Sequence, residues 1–473
     1  MRTTNRKIAH NTIIHLAGKL ISLVLGLLIV VILTRYLGAE GYGNYTTVIA
    51  FLMFFGIIVD FGLTLTTVQM ISDPNLDYNK TINNMISLRF LISFFVMLVP
   101  PIMVWFLPYP SIIKWGVVSA TFFYFCYSFI QALTGVFQEK LQMWKVTISE
   151  VVGRIFLISI VGLVVYFGKS IIWVFAAMSA EGLIVVLLLF VFSAKFVKWK
   201  FEMDFNIWKE ILKRSWPIAL SISFNLIYLR MDTLILSLSR TQAEVGLYGA
   251  TYRIIDVLTM LPAVFMGIVL PVITRYFSEA RKFDLKNLMQ KAFDTLMMFA
   301  VPVVFGAMII AKPLMILIGG AEFAASGDIL RVLILASGVI FVTSLFGYAI
   351  VGIKKQKQMM WGYLTVALIT LIGYLIFIPK YGYWGAAWMT VFSEFVIMVW
   401  TSVIIYKTIR FFPSLNSLAK NICAALVMAF IIYFIRDWNV IIVLLISGLI
   451  YFSALYLLGG IKKSMIKELT RLK

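Results

Sequence analysis

The chain has 473 residues, 62% hydrophobic and 13% charged, with a mean hydropathy of +0.98. Soluble domains run about half apolar and about a quarter charged, so a water-soluble enzyme and a disordered chain are excluded, as is a β-barrel, whose strands alternate polar and apolar residues. Lys and Arg total 41 against 21 acids, a net charge of +20 that in a soluble protein would suggest nucleic acid.

Taken in chain order, the apolar runs predict an all-α polytopic membrane protein. Arg2, Arg6 and Lys7 precede a run that continues to Thr34 without a small-residue cleavage site, so it reads as a retained span rather than a signal peptide. Thirteen more runs of roughly spanning length follow. The predicted spans are 12–34, 45–70, 85–107, 112–137, 146–167, 170–194, 215–238, 248–274, 292–318, 328–353, 359–379, 385–406, 418–435 and 440–460. With the N-terminus inside, the inner segments hold 28 Lys and Arg and the outer ones 6. That bias places both termini in the cytoplasm, and it accounts for the net charge without a nucleic-acid partner.

The longest polar connection, Lys195 to Arg214, carries Phe205, Trp208, Leu212 and Trp216 at helical spacing among basic residues. It reads either as an amphipathic helix on the inner leaflet or as a snorkelling linker. No connection is long enough to form a catalytic domain.

An internal repeat organises the rest. Gly135, Lys140, Met143 and Trp144 recur as Gly352, Lys357, Met360 and Trp361. Ala39-Glu40 with Gly43-x-Tyr45 recurs as Ala243-Glu244 with Gly246-x-Tyr248, and Glu181 recurs as Glu394. Two six-helix lobes in parallel repeat are expected, 1–200 and 201–410, with two extra helices and a basic tail in 411–473. Two lobes about a cavity is a transporter design.

Motifs for chemistry are missing. Gly162 to Ser170 resembles a P-loop but has five residues between its glycines where four are needed. His10 and His15 lack a carboxylate partner at metal spacing, and Cys126 and Cys423 fit neither a disulfide framework nor a metal site. Neither a bond-breaking enzyme nor a cofactor is expected.

Charges inside spans are functional candidates because they cost at least ~2.5–3.5 kcal/mol each on insertion scales. Lys19, Asp60, Arg154 and Glu181 fall in the first lobe, and Arg230, Asp232, Arg253, Asp256 and Glu394 in the second. Arg89, Asp294, Lys312 and Arg331, near span ends, read as snorkelling anchors. Arg253 and Asp256, at i and i+3, can pair on one face, whereas Arg230 and Asp232 cannot share one. Arg154 and Glu181, on consecutive spans, read as a structural pair. The cluster on spans seven and eight is either a salt-bridge tie or a polar patch on a water-filled route. Guanidinium groups grip phosphate oxygens in a bidentate fork, which suits a substrate with a phosphate or pyrophosphate group.

The stretch Leu33-Thr-Arg-Tyr-Leu-Gly-Ala-Glu-Gly-Tyr-Gly-Asn-Tyr45, followed by Asp60-Phe-Gly-Leu63, resembles the opening of Wzx-type polysaccharide flippases. Leu229-Arg-Met-Asp232, Val245-Gly-Leu-Tyr248, Tyr252-Arg-Ile-Ile255 and Tyr381-Gly-Tyr-Trp-Gly-Ala-Ala387 are similar to that family too. The family shares a superfamily with MurJ and the MATE exporters. The resemblance implies alternating access that moves undecaprenyl-pyrophosphate-linked oligosaccharide from the inner to the outer leaflet of a bacterial plasma membrane. It leaves open a MATE-like drug or cation antiporter and a MurJ-like lipid II flippase. The substrate-binding candidates are Arg230, Arg253, Arg154 and Lys19, and the candidates for coupling to a proton or sodium ion are Asp60, Asp232, Asp256 and Glu394. Expected partners are the polyprenyl-linked oligosaccharide and membrane lipids, with the protein a monomer.

Overall fold

A computed structural model describes residues 2–73 and 75–460, and the side chains of these except 2–17, 20, 217, 218, 221, 222 and 225–229. His10, His15 and the basic residues of both tails in the charge count lie outside the described side chains. The regular elements of the described residues are helices: α1 (Arg2–Asp60), α2 (Leu63–Ile71), α3 (Tyr78–Met103), α4 (Ser111–Glu139), α5 (Met143–Tyr166), α6 (Ile171–Ser193), α7 (Phe205–Ser239), α8 (Gln242–Ser278), α9 (Lys282–Gly319), α10 (Ala324–Gly352), α11 (Gln356–Tyr381), α12 (Tyr383–Ile409), α13 (Asn416–Ile435) and α14 (Val440–Leu457). Among the described residues, twelve stretches are long and apolar enough to cross a membrane. The first of them, Ile21–Ile71, contains a break at Gly38 (φ 65°). With that stretch counted as two and α7, 35 residues long, included, the helices accommodate the fourteen spans expected.

The break itself differs from the sequence reading. Residues 35–44 were expected to form a loop, but a single left-handed residue turns the chain and both flanks stay helical. Glycine adopts that conformation at no steric cost. A second bend at Phe61 and Gly62 (φ 39° and 70°) separates α1 from α2.

The chain forms two compact units, Met1–Gly246 and Leu247–Lys473. In the first, α1 packs on α4, α5 and α7, and α6 packs on α4 and α5. Gly43 and Gly246 permit one unusually close backbone crossing within this unit. A Cβ on Gly43 would lie 1.7 Å from the carbonyl oxygen of Gln242, and one on Gly246 would lie 1.9 Å from that of Ala39. The two copies of the repeated motif, Ala39-Glu40 with Gly43 and Ala243-Glu244 with Gly246, thus pack against each other. In the second unit α10 packs on α9 and α12, α11 on α12, and α13 on α9 and α14.

The repeat is visible in the helix bounds. α4 begins at Ser111 and α10 at Ala324, 213 residues later; α5 begins at Met143 and α11 at Gln356, again 213 apart. The tight turns between them place Leu141 (φ 52°) and Lys354 (φ 60°), also 213 apart, in the same left-handed conformation. Glu181 and Glu394 follow this register. The Gly-Lys-Met-Trp match does not: it is offset by 217, one helical turn too far. Both turns carry the same residue types at a membrane boundary, so composition aligned them one turn out of step.

The connection after α6 is partly extended and partly helical, and it is held by protein. Asn83 Nδ2 donates to the Lys198 carbonyl (3.0 Å), and the backbone N–H groups of Lys198, Lys200, Glu202 and Asp204 donate to Asn79, Asn83, Ser87 and Asn84. Side chains of α3 therefore supply the hydrogen bonds that a helix would have made internally. Asp204 then caps α7. Trp208 and Ile211 bury against Leu63 and Met70 of α2 and Met85 and Leu88 of α3, with the Trp208 indole N–H on the Asn84 carbonyl at 3.1 Å. Of the four apolar residues that read as a leaflet face, only Trp208 is buried in this way, whereas Phe205, Leu212 and Trp216 stay exposed.

Candidate functional site

The first unit carries a track of polar residues through otherwise apolar helices. Asp60 ends α1 where the chain bends, and Arg89 reaches it from α3 with Nη2 to Oδ1 at 2.8 Å. Arg89 also donates to Gln131 of α4 (2.9 Å) and to the Thr64 hydroxyl of α2 (3.1 Å), and Thr64 in turn donates to Asp60. Arg89 is only 1% exposed, so the snorkelling role expected of it is wrong. α3 begins at Tyr78, seven residues before the span predicted at 85, and Arg89 therefore lies about three turns inside the helix. Buried there, a cation needs an acid, and Asp60 is that acid.

A second group forms where α5 meets α6. Gly153 lets the helices approach: a Cβ there would meet Val185 at 2.5 Å and the Glu181 side chain at 3.2 Å. One residue on, Arg154 Nε contacts Glu181 Oε1 at 3.5 Å. Glu181 is buried, and its other carboxylate oxygen makes no hydrogen bond among the described residues. Arg154 is 39% exposed, so the contact engages a guanidinium that keeps donors to spare. Glu150, one turn before Arg154, lies within electrostatic reach of both Lys19 of α1 and Arg154. Tyr127 of α4 is within reach of Asp60, Glu150 and Arg154, so it stands between the two groups. Lys19 itself is exposed.

On α7, Asp232 and Arg230 take different surroundings. Asp232 is fully buried and accepts from the Thr233 backbone N–H (2.6 Å) and hydroxyl (3.2 Å). Arg230 is partly exposed and lines a 160 Å³ pocket with Ser223 and with Ala50, Met53 and Ile57 of α1.

In the second unit Arg253 and Asp256 of α8 pair at 3.8 Å, with 40% and 29% of each side chain exposed. Glu394 of α12 is 2% exposed, within electrostatic reach of Tyr363 on the neighbouring α11. One turn away, Thr390 joins Tyr248 and Tyr374 at 3.4 and 3.3 Å. Within the first unit the structure thus brings together Lys19, Asp60 and Arg154 through Glu150, Tyr127 and Arg89, three residues that the sequence reading did not select. Glu150 was recoverable from its i, i+4 spacing to Arg154; Arg89 required knowing where α3 begins.

Polar interiors of this kind occur in membrane transporters, and comparison with known proteins defines the group. A family model described as polysaccharide biosynthesis protein matches residues 8–277, more than half of the chain. The chain belongs to this family. Over 376 residues it is 20% identical to a Shigella dysenteriae protein named as a candidate O-antigen transporter, covering 77% of this chain and 92% of that protein. A Haloferax volcanii protein named for low-salt glycan biosynthesis flippase activity is 21% identical over 166 residues, and the chain spans only 35% of that relative's length. Among solved structures, the lipid II flippase MurJ in an inward closed conformation superposes with a TM-score of 0.80 at 16% identity, covering 93% of this chain and 98% of that one. An inward-facing multidrug MATE transporter gives 0.69 at 14% identity, covering 84% and 98%. Family membership and fold together make this a multi-pass membrane protein of polysaccharide biosynthesis with the MurJ/MATE architecture.

Proposed function

We propose that this protein flips an undecaprenyl-pyrophosphate-linked oligosaccharide from the inner to the outer leaflet by alternating access. The observation that carries the reading is a partly exposed cation inside the helices of a polysaccharide-biosynthesis family member. Arg154 Nε lies 3.5 Å from Glu181, and its guanidinium, 39% exposed, suits a pyrophosphate fork. Lys19, Arg230 and Arg253 are the supporting cations. Asp60, Asp232, Asp256 and Glu394 are the proposed carboxylates for coupling to a proton or sodium ion. The protein acts as a monomer in a bacterial plasma membrane with both termini cytoplasmic.

A strain lacking the gene should strand lipid-linked oligosaccharide on the inner leaflet, and the wild-type gene should release it. Arg154→Lys should restore less export than wild type and Arg154→Ala less again, at normal protein abundance. Normal polymer and leaflet distribution with heightened drug sensitivity would favour the antiporter and overturn the reading. For orientation, cysteines at Ala243 or Ala325 should react with an impermeant thiol reagent from outside and those at Lys200 or Lys354 should not; reversed labelling inverts the topology.

A further inference from the structure

The seam between α11 and α12 opens at its basic end into a cavity of about 710 Å³, part of no element of the polar track. Lys355, Gln358, Lys407 and Thr408 line its mouth, and Trp361 and Trp400 wall it. From Ile404 back to Val396 the α12 side of the lining is apolar, with Trp400 midway along it. Trp400 lies flat on α11 because residue 362 is glycine: a Cβ there would meet the indole at 2.6 Å.

Three observations converge on an anionic amphiphile. The lining holds two lysines and no acid. Lys355 is also the N-cap of α11, a 26-residue helix with no side-chain cap bond and no acid in its first turn, and the carbonyl end of α12 at the same mouth is offset by Lys407 in its last turn. The third is length. Lys407 to Val396 spans eleven residues of helix, about 16 Å at ~1.5 Å per residue, or roughly half of the ~30 Å hydrocarbon core. That suits an acyl chain confined to one leaflet and is too short for a chain that crosses both.

We propose that this cavity binds an anionic glycerophospholipid of the surrounding bilayer, its phosphate between Lys355 and Lys407 and one acyl chain along Val396–Val403. Trp361, in the second turn of α11, stands on the basic side of the cavity, where an amphipathic ring suits a headgroup boundary. The proposal is independent of the flipped substrate.

The purified protein, equilibrated with equal amounts of phosphatidylglycerol and phosphatidylcholine of identical chains, is analysed by native mass spectrometry for retained lipid. Wild type should retain phosphatidylglycerol preferentially. Lys355→Gln with Lys407→Gln should lower that preference by about tenfold, or ~1.4 kcal/mol, at unchanged melting temperature. Lys354→Gln with Lys357→Gln removes the same charge outside the lining and should leave the preference as it was. Gly362→Val, which displaces Trp400, should weaken retention with both lysines in place. The proposal is overturned by an unchanged preference in the Lys355/Lys407 variant, by an equal loss in the Lys354/Lys357 control, or by displacement of phosphatidylglycerol by polyprenyl phosphate at equal concentration.

Discussion

Removing Arg89 is the sharpest test of the polar track. Arg89→Ala deletes three donors at once, to Asp60 at 2.8 Å, Gln131 at 2.9 Å and Thr64 at 3.1 Å, from a side chain that is 1% exposed. It leaves the Asp60 carboxylate, 15% exposed, with the Thr64 hydroxyl as its hydrogen-bond donor. Breaking a buried ion pair on one side costs about 3–5 kcal/mol, and the residual exposure of Asp60 argues for the lower end. At about 2–4 °C per kcal/mol for domains of 150–250 residues, a loss of ~3 kcal/mol lowers the melting temperature by roughly 6–12 °C. Fluorescence-detected size-exclusion chromatography after heating measures this in detergent extracts. Asp60→Asn combined with Arg89→Gln removes both charges and keeps amide hydrogen bonding, so it should recover most of the loss. A single variant that melts within about 2 °C of wild type, or a double variant no more stable than the single one, would refute the ion-pair reasoning.

Three further outcomes are expected. Gly43→Ala and Gly246→Ala must each shift the backbone crossing, since their Cβ atoms would lie 1.7 and 1.9 Å from carbonyl oxygens; each should cost at least ~1–3 kcal/mol and reduce the yield of monodisperse protein. Gly26→Ala, with nothing within 4 Å of its Cβ, should not. Gly153→Val should push α6 away at Val185 and part Arg154 from Glu181, so cross-linking of cysteines placed on facing turns of α5 and α6 should fall. The Asp204 carboxyl is held below the usual carboxylate range, first by the hydrogen bond from Lys80 and then by the backbone N–H groups of Ile207 and Asn206. A depressed folded-state value stabilises above the unfolded value of about 3.9 and is lost as pH falls through the lower folded one. The melting difference between wild type and Asp204→Asn should therefore be full at neutral pH and shrink below about pH 4; a difference that grows on acidification would contradict the assignment.

Apolar run length was enough to determine the class and the number of helices, because no partner but lipid tolerates such runs and each span must satisfy its own backbone. The duplication was also legible, in Glu181 and Glu394 and in the paired motifs of Ala39-Glu40 with Gly43 and Ala243-Glu244 with Gly246. What decided the site was not local. Arg89 looked like a boundary residue until the start of α3 at Tyr78 set its depth, and Asp60 meets it across 29 positions of sequence. The extended strap after α6 is stable only because Asn79, Asn83, Asn84 and Ser87 stand on a helix beside it, a pairing that no periodicity within the strap encodes. Glycine spacing named Gly43 and Gly246 without saying that they face each other's motif. Periodicity reports which face of a helix is apolar; which neighbour covers that face, and which buried charge finds its counterion, is settled only when the helices pack.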